Sequence, residues 1–173
     1  MSTRNRADAA LRHILDAMEA GLAAKIATVN ADLADEGVTW ELPAVTDITL
    51  VAQALHPPDT TPRVRIAAGL STGSPITVGS AGEQTLPVEV FALLGSGDLD
   101  VSDEGDLVQA ALALGDACWW AVNATLKEAP GHLKTSDYRA QAVLMDLDDA
   151  DAGIAVECRI TFNITLRKPW RLT

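Results

Sequence analysis

Few residues are of types that could do chemistry, and they are scattered. The three histidines, His13, His56 and His132, fall on a helical pattern, before a Pro-Pro pair and just after a Pro-Gly pair. No His-Glu-x-x-His or Cys-x-x-Cys spacing is present to gather nitrogen or sulfur ligands, so nothing frames a zinc site. Ser71, Thr72, Gly73 and Ser74 have the small residues of a phosphate cradle. They lack the lysine that would reach the phosphates at a helix start. The acids Asp146, Asp148, Asp149 and Asp151 alternate as calcium ligands do. The fifth loop position is Ala150 and the sixth Asp151, where a ligand and a glycine are needed, so the run reads as a solvated turn. Cys118 and Cys158 sit in apolar stretches without the nearby cations that would make a reactive thiolate. They read as two buried free thiols of a reducing compartment, with a disulfide as the alternative that sequence cannot place. No catalytic, cofactor-binding or metal-ligating residue is therefore assigned, and an enzyme has no positive case.

Composition narrows the remaining classes. The 173 residues carry 13 basic and 24 acidic side chains, a net charge of −11, which opposes the basic surface that nucleic-acid binding draws on. An apolar content of 48% excludes a disordered chain, and the length fits one domain over residues 1–173. No apolar run follows Arg4 and Arg6, so the start does not read as a secretory signal. The stretch from Leu107 to Leu126 has one charge, Asp116. A central Asp costs about 3 kcal/mol to insert in a bilayer, so this is read as a helix of a water-soluble protein, with no membrane partner.

Periodicity then supplies the elements. Leu11, Ile14, Leu15, Met18, Leu22, Ile26, Val29 and Leu33 recur at steps of three and four, predicting a helix over 7–36 closed by Gly37. Gly21 weakens its middle and is a place for a kink. Residues 38–61 give no clear pattern; within them, 46–55 suits either a strand or a helix. Alternation predicts strands at 63–68 and 86–94, joined by a flexible Gly/Ser-rich loop over 69–82. Apolar residues on both faces near Phe91 and Leu93 imply cover on both sides there. An acidic turn with Asp98, Asp100, Asp103, Glu104 and Asp106 precedes a second helix, capped by Ser102 or Asp103 and ended at Ala129-Pro130-Gly131. The end of the chain reads as a hairpin of 138–147 with 154–167. The return strand alternates without a break from Ile154 to Arg167, predicting burial of one face only.

The expected fold is α+β: a single antiparallel sheet of about four strands with two long helices packed on it. Two features call for cover beyond one copy. The second helix is apolar around most of its circumference, and the last strand is much longer than the usual five or six residues, so part of it is expected to project or pair with a neighbouring chain. Trp119 and Trp120 point about 100° apart on a helix, so one is expected on the sheet and the other outward as an interface anchor. Trp119, Trp120, Ile164 and Leu166 are the candidate interface between copies.

The order of elements carries a resemblance. A long first helix, a strand opened by Pro62, a strand ending in Gly95-Ser96-Gly97-Asp98, an Ala-rich helix, and a hairpin ending in Arg159-Ile-Thr-Phe-Asn-Ile-Thr-Leu-Arg167 together resemble the tail terminator proteins of long-tailed bacteriophages. The resemblance spans most of the chain but contains no diagnostic motif, and the 38–61 segment and 69–82 loop have no counterpart in it. It implies a hexameric ring in the virion, in the neck between head and tail. Such a ring caps the tail tube, stops its polymerisation and docks to the head–tail connector, with no catalytic residue. Double-stranded DNA passes through without specific binding, and Asp98 and Asp100 are the candidate channel-lining acids. The competing expectations are another neck or tail part, such as a head-completion or tube-related protein, and a cytoplasmic enzyme or small-ligand-binding domain.

Overall fold

The computed structural model describes residues 6–51, 61–68, 83–99, 101, 103–128, 133–146 and 154–167. The first helix, α1, runs Arg6–Asp35 as its apolar stripe requires, burying Ile14, Met18, Leu22, Ile26 and Val29. It is one continuous helix through Gly21. Its end is a glycine-terminated cap: Gly37 adopts φ 85°, its N–H donates to the Ala34 carbonyl, and the Val38 N–H donates to the Leu33 carbonyl.

Among the described residues five strands follow, interrupted by the second helix: β1 (Asp47–Leu50), β2 (Arg63–Ala68), β3 (Glu83–Gly95), then α2 (Glu104–Glu128), β4 (Leu133–Asp146) and β5 (Ile154–Arg167). They form one sheet in the order β1-β2-β3-β5-β4. The expected all-antiparallel sheet of about four strands is corrected here. Asp47–Leu50 is a strand, and it lies parallel to β2, so the sheet is mixed. A parallel neighbour needs a crossover of about a dozen residues rather than a tight turn, and the chain from 51 to 62 has that length.

The long last strand also receives a different explanation. β5 is an interior strand, paired along almost its whole length with β3 on one side and β4 on the other. Its length is matched by two neighbours of 13 and 14 residues, so it neither projects nor needs a second chain to satisfy its backbone. Its even positions, Val156, Cys158, Ile160, Phe162 and Ile164, are buried in the core shared with the helices.

Both helices lie on that one face, α1 against β1 and β2, α2 against β3, β5 and β4, and the two helices against each other. α2 is thus covered on two flanks within one chain, which accounts for much of its apolar circumference: Leu114, Ala117, Cys118, Ala121 and Val122 are all buried. Its start is capped by Asp103, whose Oδ1 accepts from the Gly105 N–H at 3.1 Å. The opposite sheet face is covered at its centre, since Phe91, Leu93 and Ala155 are buried, so burial is not confined to one face. No helix of the described residues is long and apolar enough to cross a membrane. The expected 69–82 loop and the 148–153 turn lie outside the described residues.

Candidate functional site

Among the described residues the groups with chemical potential are not brought together. His13 lies on α1, part-buried, with Nε2 enclosed and lacking a hydrogen-bond partner. His56 and His132 fall outside the described residues, as do Ser71–Ser74 and three of the four clustered acids, Asp148, Asp149 and Asp151. Among the described residues no group of three or more His, Cys, Asp or Glu side chains is placed to hold a metal ion.

The two cysteines are free and buried, one on α2 and one on β5. Burial pushes the Cys118 thiol far above its ordinary range, and the neighbouring Cys158 adds to it. Cys158 is pushed up to about 11, first by burial and then by the negative charges of Asp116 and Glu157. Both are thiols rather than thiolates at neutral pH, which makes them poor nucleophiles. Close packing fixes them in place: a Cβ on Gly115 would lie 2.5 Å from the Cys158 Sγ.

Asp98, one of the two candidate channel acids, has a local structural task. Its Oδ2 accepts from the Gly95 N–H at 2.7 Å, holding the turn Ser96–Asp98 against the end of β3. The Ser96 hydroxyl in the same turn accepts from the Ile154 N–H at 3.3 Å, tying it to the start of β5. Asp100 lies outside the described residues.

The candidate interface residues separate by burial. Ile164 is fully buried inside one copy, so its side chain is not available to a neighbour: even positions of β5 face the helices, and this one is in the core. For Leu166 only the backbone is described, paired with Gln84 and Leu133. Trp119 is half-buried, its ring meeting Phe162 edge-on at 5.3 Å between centroids, which puts it on the sheet. Trp120 turns outward with 42% of its surface exposed. Leu112 and Trp120 stand four residues either side of Asp116, so all three share the outward side of α2, and all are exposed.

Sequence reasoning missed a second group of exposed apolar side chains, at the margins of the sheet. Leu144 and Ile154 are diagonal neighbours on the helix-side face beside the outer edge of β4, and Val143 is exposed on the other face. Leu50 is exposed at the opposite margin, on β1. The available signal was the uncharged run Ala140–Met145, which marks an interior strand by composition but occupies an edge. The outer face carries charge in compensated form: the Arg159 guanidinium sits 5.0 Å from the centre of the Phe91 ring and bonds the Glu157 carboxylate at 3.1 Å. What the arrangement offers is therefore a contact surface, with exposed apolar side chains on the outward side of α2 and at both sheet margins. Compared with known proteins, the chain matches no protein-family model and no curated sequence.

Proposed function

We propose that this chain is a structural assembly protein that works as a ring of copies in the neck of a long-tailed phage, as tail terminators do. The observation that carries the reading is the exposure of Trp120, Leu112, Leu144, Val143, Ile154 and Leu50 on a chain whose helices and sheet already enclose a complete core. Exposed apolar side chains that lie together, as Leu144 and Ile154 do beside the outer edge of β4, mark a surface made to be covered, whereas single ones are common on any protein. The two-layer α+β architecture and the element order agree with the resemblance. A net charge of −11 suits a ring through which DNA must slide without sticking, because like charge opposes phosphate contact. In this reading the partners are other copies, a tail tube protein and the head–tail connector.

The test is the state of the purified protein at micromolar concentration, by light scattering and negative-stain microscopy. Closed rings of uniform size are expected. A protein that stays a single 18.2 kDa chain overturns the preformed ring, and long cylinders replace the terminator with a tube subunit. A ligand- or metal-dependent rise in melting temperature of a single-chain solute would instead select a binding domain or enzyme.

A further inference from the structure

The two margins of the sheet are matched to each other. β1, β2 and β5 run one way, and β3 and β4 run the other. A second copy set beside the first, with its helices on the same side, brings its β1 antiparallel to the first copy's β4. Within the described residues neither outer edge is paired.

Edge strands of soluble proteins are commonly blunted by charge, proline or a bulge. The first half of β4 is blunted in this way: it contains Lys134, Asp137 and Arg139 and an irregularity between Ser136 and Arg139. Its second half is bare, six residues from Ala140 to Met145 without a charge or a proline. On the other margin, Ile48-Thr49-Leu50-Val51 is also uncharged, and the Val51 N–H extends the β1 pairing by donating to the Ile66 carbonyl. Two copies that each carry −11 repel one another, so contact through these neutral segments meets the least opposition. Each margin also exposes a leucine on the helix side, Leu50 at 36% and Leu144 at 47%.

We propose that the bare half of β4 binds β1 of the next copy, extending the sheet head to tail from chain to chain. The inference rests on the ring reading and names its contact. Side-chain parity allows Ile48 opposite Leu144 and Leu50 opposite Ala142 on the helix side, two large side chains meeting in the first pair and a large one beside a small one in the second. Thr49 then lies opposite Val143 on the other face. Main-chain hydrogen bonds supply the attraction, as in any strand added to a free edge. The contact joins two different surfaces, so each copy keeps one edge to offer, and the chain of copies closes into a ring when the rotation per step divides a full turn with no rise.

The experiment compares wild-type protein with Leu144→Lys and Leu50→Lys in light scattering, each first checked for folding by thermal melting. Both residues are exposed, so both variants are expected to fold. Either lysine should reduce the scattering mass from that of the assembly to that of an 18.2 kDa chain at concentrations where wild type assembles. A Thr49→Cys/Val143→Cys double variant should give a ladder of disulfide-linked chains on mild oxidation, and each single variant should not. If wild type assembles and both lysine variants assemble equally well, the edge assignment falls while the ring reading stands. An effect of Leu144→Lys alone removes β1 as the partner in favour of β4 meeting β4. A wild-type protein that is a single chain at every concentration overturns the ring and this contact together.

Discussion

Asn30 holds the irregular segment after α1 to the helix with one amide. Its Nδ2 donates to the Leu42 carbonyl at 3.0 Å, and its Oδ1 accepts from the Leu42 N–H at 2.8 Å. Leu42 and Trp40 are thereby seated in the core although no regular element carries them. Asn30→Ala leaves both part-buried backbone groups without a partner, so a loss of about 1–3 kcal/mol in urea unfolding is expected. Asn30→Asp keeps the acceptor but turns a second oxygen toward the Leu42 carbonyl, and should not restore stability. This clamp was illegible in the sequence, because it joins residues twelve apart across a segment with no period. The cysteines were legible, since apolar neighbours on both sides announce burial. Their raised pKa values predict a pH effect of definite sign. The unfolded thiols titrate near 9.0, while folded Cys158 holds its proton up to about 11 and Cys118 higher. The unfolded state therefore binds fewer protons in that window, and stability that is complete below pH 9 declines as pH rises. Urea midpoints measured from neutral pH to about pH 10 should fall more steeply for wild type than for a Cys118→Ala/Cys158→Ala variant. Parallel slopes would remove the thiols from the account.

At the scale of elements, two helical glycines separate propensity from packing. A Cβ on Gly21 would meet the Ala121 Cβ at 3.7 Å, an ordinary contact between α1 and α2. Gly21→Ala should therefore stabilise the protein by up to about 1 kcal/mol, since alanine is the better helix former and has room. A Cβ on Gly115 would lie 2.5 Å from the Cys158 Sγ and 3.6 Å from the Ile160 Cδ1. Gly115 is where α2 rests on β5, and Gly115→Ala should cost about 1–3 kcal/mol through overpacking despite the same gain in propensity. Thermal melts of the two variants should move in opposite directions. A sequence shows both residues as the same flaw in a helix, because period and propensity carry no information about what lies across the interface. The same limit explains which strands were read well. β5 was placed to the residue because strict alternation is a local signal. β1 was left undecided because four residues and a parallel partner leave no local signature. β4 was found only in part, since its first turns are polar and sit at an edge where one-face burial does not impose a pattern.

For the whole molecule, the decisive quantity is how far folding and assembly can be separated. The core of one chain is closed by its own helices and sheet, so most of the apolar excess that the sequence advertised is used internally, on the two covered flanks of α2 and the interior position of β5. Among the described residues, what remains outside is Trp120 and Leu112 on α2, and the leucines and neighbours at the sheet margins. Trp120→Ala removes a side chain with 42% of its surface in solvent, so only the covered part of the ring supports the single chain, and a loss of about 1–2 kcal/mol in urea unfolding is expected. If Trp120 anchors copies together, the same substitution should weaken assembly by tenfold or more, because interface energy concentrates in a few large aromatic residues. Salt supplies the independent check. Between copies that carry −11 each, attraction through apolar side chains works against charge repulsion, and screening relieves the repulsion alone. Raising ionic strength should therefore strengthen assembly of wild type and shift the Trp120→Ala curve by a similar factor without restoring it. Assembly that instead dissolves in salt would mean that charge pairs hold the copies together, and Trp120 would lose its role.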